Sequence, residues 1–292
     1  MRNARIAAAV LFLAIGTGGG LAQDSGSDTL LGELFRRNVG TREQMFRAFP
    51  PHRIVGNVYY VGTESLASFL VTTPEGHILI NSNFEANVPV IQESVAELGF
   101  RFEDIRIVLG SHGHADHMEG DALVKELTGA GVMAIREEVP LLEGIRPGGK
   151  PHPVDRILED REEVTLGGTT LVVHLTPGHT PGCMTWSFET VENGETYDVV
   201  IIGSVGMNPG YQLVGNTDRP AIIDEYTRAY ERLRSLTVDV PLGSHPSMYR
   251  MAEKHARIGG AVNPFIDPQG YIDELDLNER IFRLRLEEQG AD

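Results

Sequence analysis

The chain has 292 residues, 41 acidic side chains against 25 Lys and Arg, a formal charge of −16, and 41% hydrophobic residues. So much apolar content over that length builds a sizeable core, while the acidic balance repels nucleic acid and anionic membrane surfaces and excludes them as partners. The single cysteine, Cys183, has no internal partner for a disulfide and reads as a small buried hydrophobe.

Arg2 and Arg5 precede the apolar run Ile6 to Ile15, and Gly20-Leu21-Ala22 offers small residues for cleavage before Gln23. This is the build of a secretory signal peptide over residues 1–22. The apolar run is too short to span a bilayer. The two arginines are not adjacent, as twin-arginine export requires, and no cysteine adjoins the cleavage site to carry a lipid. The expectation is a soluble periplasmic protein with no membrane anchor. Losing residues 1–22 removes two arginines and no acid, so the mature charge is more negative still.

Residues 23–292 read as a single domain with an N-terminal arm, 23–50, and a C-terminal tail, 263–292. The arm is polar, with Phe35, Met45, Phe46 and Phe49 as apolar points, which predicts a loose segment with one helix near 41–49. Strands follow at 54–61, 67–72 and 77–80, separated by Gly62-Thr63 and Pro74-Glu75-Gly76 turns. A helix is predicted over 88–98, stopped by Gly99, and then a β-branched strand over 105–109. After it come helix 121–127, strand 132–135, helix 138–142 and a loop at 147–153 that its prolines and glycines keep irregular. Strands are expected at 154–157, 163–166, 169–175, 184–190, 198–202 and 238–242. Helices are expected at 224–236, at 247–258 with Ser247 as cap, and at 278–288. Strands followed by helices, twice over, predict an α/β protein with two sheets sandwiched between helical layers.

The loop between strand 105–109 and helix 121–127 reads His112-Gly113-His114-Ala115-Asp116-His117. On an extended segment His112 and His114 project to the same side and reach one cation. Asp116 and His117 come where the chain turns and point to a second position. Three histidines and a carboxylate suit a borderline-soft ion, zinc before calcium or magnesium. The competing reading is a solvated, His-rich turn.

That motif at a strand end resembles the metallo-β-lactamase superfamily. The likeness extends through Thr176-Pro177-Gly178-His179-Thr180-Pro181-Gly182, an apolar strand ending in Gly203-Ser204, and Gly243-Ser244-His245-Pro246, roughly from Val55 to His255. It implies a four-layer αββα sandwich with the site at one edge of the packed sheets, bordered by the N-terminal arm. It implies two zinc ions (Zn2+) per chain, one held by His112, His114 and His179, the other by Asp116, His117 and His245. A water acidified by the metal would then act as nucleophile, oriented by Asp116. His174, inside a strand, and His52, His77, His152 and His255, in loops or on a solvated helix face, fall outside that set.

Lactonases, thioesterases and phosphodiesterases of the superfamily usually place a bridging Asp at the end of the strand that here reads Val200-Ile201-Ile202-Gly203-Ser204. No carboxylate lies between Val199 and Thr217, and Ser204 takes the place. This resembles the third subclass of class B β-lactamases, as do Asn208-Pro209-Gly210-Tyr211. The resemblance implies hydrolysis of a small-molecule β-lactam, hence antibiotic resistance; with no Lys or Arg from Ser204 to Asp218, the substrate carboxylate is expected to be bound by the second zinc with Ser204 and Asn208, and Asp116 and Ser204 are expected to be the catalytic residues. The alternatives are a lactonase or thioesterase on the same scaffold, and a periplasmic zinc-binding protein of weak activity. Four positions depart from the family pattern. Glu119 adds a charge by the site, Asn81 stands where an Asp commonly supports the metal loop, Gly203 replaces a common Asp, and Gly206 a common Ser. Asn81 is expected to loosen a ligand, and Gly206 to weaken carboxylate binding.

Overall fold

A computed structural model describes residues 26–290. The signal peptide expected over residues 1–22 lies outside them.

Among the described residues the strands form two sheets. In the first, β1 (His52–Val55), β2 (Val58–Tyr60), β3 (Phe69–Thr73) and β4 (Gly76–Ile80) run antiparallel, and β5 (Ile105–Leu109), β6 (Gly131–Ile135) and β7 (Arg156–Leu158) continue parallel from β4. In the second, the antiparallel run β8 (Glu163–Leu166), β9 (Thr169–Leu175), β10 (Met184–Glu192), β11 (Glu195–Ile202) ends on β12 (Val240–Gly243), parallel to β11. The helices are α1 (Gly26–Val39), α2 (Arg42–Phe46), α3 (Val88–Glu97), α4 (Ala115–Met118), α5 (Asp121–Thr128), α6 (Val139–Leu142), α7 (Ile222–Arg234), α8 (Met251–His255) and α9 (Pro268–Glu288).

Strand β4 explains why layers form on both sides. Its run Ile78-Leu79-Ile80 is buried throughout, Ile78 and Ile80 joining the cluster between the sheets with Phe69, Trp186 and Ile201. Leu79 turns the other way, into a second cluster with Val88, Ile91 and Val95 of α3 and Val124 of α5. Parallel strands covered on both faces read as continuous apolar runs. The second sheet is covered by α7 and α9, whose Tyr226 and Phe282 rings meet at 5.2 Å. The expected four-layer αββα sandwich is the fold observed. Trp186 ties the sheets together, its indole N–H donating to the Gly110 carbonyl at 2.9 Å where β5 ends and the motif begins.

Besides the single strand expected at 54–61, which turns at Gly56-Asn57 into the antiparallel pair β1 and β2, three expectations need correction. The arm is not loose, because 26–39 is a helix with Leu31 and Leu34 buried against the far end of the chain. The final helix begins ten residues earlier than predicted, at Pro268, with Asp267 capping it through the Gly270 N–H at 3.0 Å. Its buried face includes Glu274 and Asn278, polar residues that hid the stripe. Arg37 of α1 satisfies Glu274 with a two-pronged ion pair, and Asn278 donates to the same carboxylate at 3.0 Å. Third, 247–258 is not one capped helix. Arg250 at φ 55° breaks it, and the Ser247 hydroxyl donates to Asn38 of the arm at 2.9 Å instead of capping.

Candidate metal centre

Strand β5 delivers the motif. Its last residue is followed by Gly110, where a Cβ would lie 2.3 Å from Met118 Sδ, so a side chain there would have to displace buried Met118. His114 then stands at the N-cap of α4, extended at φ −92° and ψ 149°, which puts Asp116 and His117 on the first helical turn.

Six side chains gather in two groups. His112, His114 and His179 form one and Asp116, His117 and His245 the other, the ligand atoms within each group lying within 4.8 Å of one another. The His112 and His117 rings, one from each, are 4.3 Å apart, so the two positions are neighbours. His179 arrives on the turn after β9, where Gly178 at φ 135° lies flat against the Tyr226 ring. His245 arrives from the end of β12. Backbone carbonyls fix which nitrogen faces inward: His179 Nδ1 donates to Gly206 O at 2.8 Å and His245 Nδ1 to Ser65 O at 3.0 Å. That leaves each Nε2 for a ligand, the usual outer-shell arrangement for a metal-binding histidine.

Burial holds the His112 and His114 imidazoles below their usual range, aided at His112 by the His117 and His179 rings. The same cause takes His179 down to about 3 and His245 to about 4. For Asp116 burial acts upward, yet the His117, His245 and His114 rings around it hold the carboxyl well below the usual carboxylate range. Neutral imidazoles and an ionised carboxylate are the protonation states a cation requires. His117 adds an independent test of fit. Its ring is wholly buried with Asp116 Oδ2 3.3 Å from its Nε2, and neither ring nitrogen has a hydrogen-bond partner. An unsatisfied buried polar group is costly, and a cation between His117, Asp116 and His245 would satisfy one of the two nitrogens.

The groups form the floor of a cleft of about 300 Å³ whose wall includes Leu34, Phe35, Asn38 and Val39 of α1, Met45 of α2, Phe84, Ser204, Gly206 and Asn208. Ser204 and Asn208 are therefore at the site, as expected, and the arm does border it. Among the described residues lining the cleft, Asp116 is the only carboxylate, and none is Lys or Arg.

The departures fare differently. Asn81 is tied to the start of the metal loop, its Oδ1 accepting the Ser111 N–H at 2.8 Å, and its positive φ of 66° suits an Asn. Glu119 does not line the cleft; its carboxylate accepts the Glu85 N–H at 3.2 Å. Gly203 packs with no room for a side chain, a Cβ there lying 2.2 Å from Met184 O. Among the other histidines, His52 and His77 sit buried in β1 and β4 instead of in loops. His152 is in a loop but its ring is buried, 3.0 Å from Asp121. His174 lies in β9, bonded to Ser187 at 2.7 Å. Cys183 is buried, its thiol pushed well above the usual range mainly by burial, which makes it no nucleophile.

One support was invisible in sequence. Gln289 at the end of α9 accepts from the Leu213 and Val214 N–H groups at 2.7 and 3.0 Å and donates to Tyr211 O at 3.0 Å. Tyr211 in turn donates its hydroxyl to His179 O at 2.8 Å. The tail thus clamps the loop that carries Gly206 and Asn208.

A family model described as the metallo-β-lactamase superfamily matches residues 61–245. The native FEZ-1 metallo-β-lactamase of Legionella gormanii superposes with a TM-score of 0.80 at 43% identity, covering 84% of this chain and 98% of that one. BJP-1, a subclass B3 metallo-β-lactamase of Bradyrhizobium japonicum, does so at 0.78 and 34%, covering 85% and 98%. Curated relatives align over shorter stretches. A hydroxyacylglutathione hydrolase of Anaeromyxobacter dehalogenans is 38% identical over 84 residues, 29% of each chain. The persulfide dioxygenase ETHE1 of Homo sapiens is 27% identical over 129, 44% of this chain and 45% of that one. The chain thus spans less than half the length of these two curated relatives.

Proposed function

The chain belongs to the metallo-β-lactamase superfamily, and from that premise we propose that it is a periplasmic dizinc hydrolase that opens β-lactam rings, an activity that would confer antibiotic resistance. The observation that carries this reading is the single carboxylate among the described residues of the cleft. A site with one Asp and five His, and with Ser204 at the end of the β11 segment, lacks the bridging Asp that lactonases and thioesterases of the superfamily usually supply. The overlap with subclass B3 structures along almost their whole length supports the same choice.

When bound, zinc supplies a Lewis acid and a water acidified to about neutral pH, so no serine or cysteine nucleophile is needed. His112, His114 and His179 would hold one ion, and Asp116, His117 and His245 the other. Asp116 would orient the attacking water towards the lactam carbonyl, and the hydroxyl of Ser204 would donate to the substrate's carboxylate, with Asn208 beside it. The apolar wall from Leu34, Phe35 and Met45 faces the rest of the substrate and keeps bulk water off one side of the cleft.

The second reading is a thioester or lactone hydrolase, motivated by the glutathione-thioester hydrolase named among the relatives. Zinc-loaded protein assayed with a chromogenic cephalosporin, an acyl-homoserine lactone and a glutathione thioester separates the two. Turnover of the cephalosporin at least a hundredfold above the others supports the proposal, and the reverse order replaces it with the second reading.

A further inference from the structure

Glu138 stands just before α6 and is fully buried; burial pushes its carboxyl pKa up, and the Gly113 and Gly182 N–H groups and the Arg219 charge pull it back down. Its two carboxylate oxygens go to two different loops. Oε1 accepts the N–H of Gly113, the residue between His112 and His114, and Oε2 accepts the N–H of Gly182, three residues after His179, at 2.8 Å. At Gly182 the approach to Glu138 excludes a side chain, and at Gly113 it is tight. A Cβ on Gly113 would lie 3.1 Å from Glu138 Oε1, and one on Gly182 would lie 2.2 Å from the Glu138 backbone nitrogen. The segment that carries His112 and His114 and the loop that carries His179 are therefore docked on one carboxylate, whereas the turn that carries His245 is not, and Asp116 and His117 follow Gly113 on α4.

We propose that Glu138 is a positioning residue for the three-histidine metal site alone, joining the His112–His114 loop to the His179 loop and setting a negative charge behind a group of three neutral ligands. The inference rests on the metal reading of that site. Three neutral imidazoles leave the charge of a dication uncompensated, whereas the other group has Asp116, so a buried anion matters more to the first. Glutamine in place of Glu138 keeps the volume but offers one oxygen and one NH2, so one loop N–H faces a donor and the charge is gone.

The test reads each site by itself. In a His245→Ala background only the three-histidine group keeps all its side chains; in a His179→Ala background only the other does. Zinc affinity by competition with a chromophoric chelator should fall on the order of ten- to a hundredfold when Glu138→Gln is added to the first background, and by less than about threefold when added to the second. Glu138→Asp, which keeps the charge but is shorter, should lose less than Glu138→Gln in the first. Circular dichroism and thermal melting of the metal-free proteins check the fold, and if Glu138→Gln melts out, the Glu138→Asp pair is read instead, with the same site selectivity expected. Equal losses in both backgrounds, or none in the first, overturn the inference alone. No zinc in the chain with Glu138 intact overturns the metal reading and this inference with it.

Discussion

Asn81 Oδ1 accepts the backbone N–H of Ser111 at 2.8 Å, tying the end of β4 to the residue before His112. Both residues are fully buried. Asparagine therefore does here what an aspartate would do by the same acceptor, without the charge. Asn81→Ala leaves the Ser111 N–H unpaired in the interior and places a side chain poorly suited to positive φ, and should lower the unfolding free energy by about 1–3 kcal/mol. Urea unfolding of the two chains measures it, and an unchanged midpoint and slope would refute the tie.

On the proposed reading a substrate carboxylate would be held by Ser204, beside Gly206, in a cleft whose described lining has no Lys or Arg. A Cβ at Gly206 would lie 4.0 Å from Ser204 Oγ, with no closer contact than Asn278 Oδ1 at 3.7 Å, so a second hydroxyl fits beside the first. Ser204→Ala should raise KM about ten- to a hundredfold, the worth of one hydrogen bond to a charged group, roughly 1.5–3 kcal/mol. Gly206→Ser should lower KM. Metal content is checked in both, and a Ser204→Ala enzyme with wild-type KM and kcat and full metal would remove Ser204 from the anchor.

Asp116 carries a different expectation, because on the proposed reading its charge would act on the attacking water more than on the bound substrate. Asp116→Asn should reduce kcat far more than it raises KM, the signature of an interaction made mainly in the transition state. His174→Ala, a change in β9 that removes a bond to the Ser187 hydroxyl, should leave kcat and metal content as they are. Near-normal kcat in Asp116→Asn would refute the assigned role.

The site is legible in sequence where ligands are close together along the chain, and the fold where strands are apolar and continuous. The spacing of His112, His114, Asp116 and His117 by itself implies a two-position site, and strands 105–109, 163–166 and 169–175 fall at their predicted bounds. Contacts between distant segments are not legible. Helix α1 shows only a sparse apolar stripe and is stabilised by α9, more than 200 residues away, through pairs such as Arg37 with Glu274. Gln289 and Glu138 act through backbone groups of remote loops, and a side chain that bonds backbone leaves no pattern in sequence. Asn81 shows the same limit, since a sequence displays its residue type but not the Ser111 N–H that it meets.

His52 gives the fold a pH limit distant from the metal groups. Its ring is packed between Tyr60 and Phe265, with centroids at 5.4 and 5.5 Å, and its pKa is pushed down to about 4 by burial, opposed by the Pro50 carbonyl and aided by His255. A histidine lowered in the fold contributes stability that is fully present above its unfolded value near 6.5 and lost as pH falls towards 4. That loss should be about 2–3 kcal/mol. His52→Phe, which keeps an aromatic ring in the stack, should show a smaller drop in Tm between pH 7 and pH 4.5 than the parent chain when both are metal-free. Equal drops would place the pH sensitivity elsewhere.

The most direct test of the account is a zinc titration of chelator-stripped protein, with hydrolysis of a chromogenic cephalosporin and bound metal followed together. Activity that rises until two equivalents are bound, and that a serine-directed acylating inhibitor leaves untouched, is the predicted result. Full activity at one equivalent, or no cephalosporin turnover with both groups loaded, would contradict it.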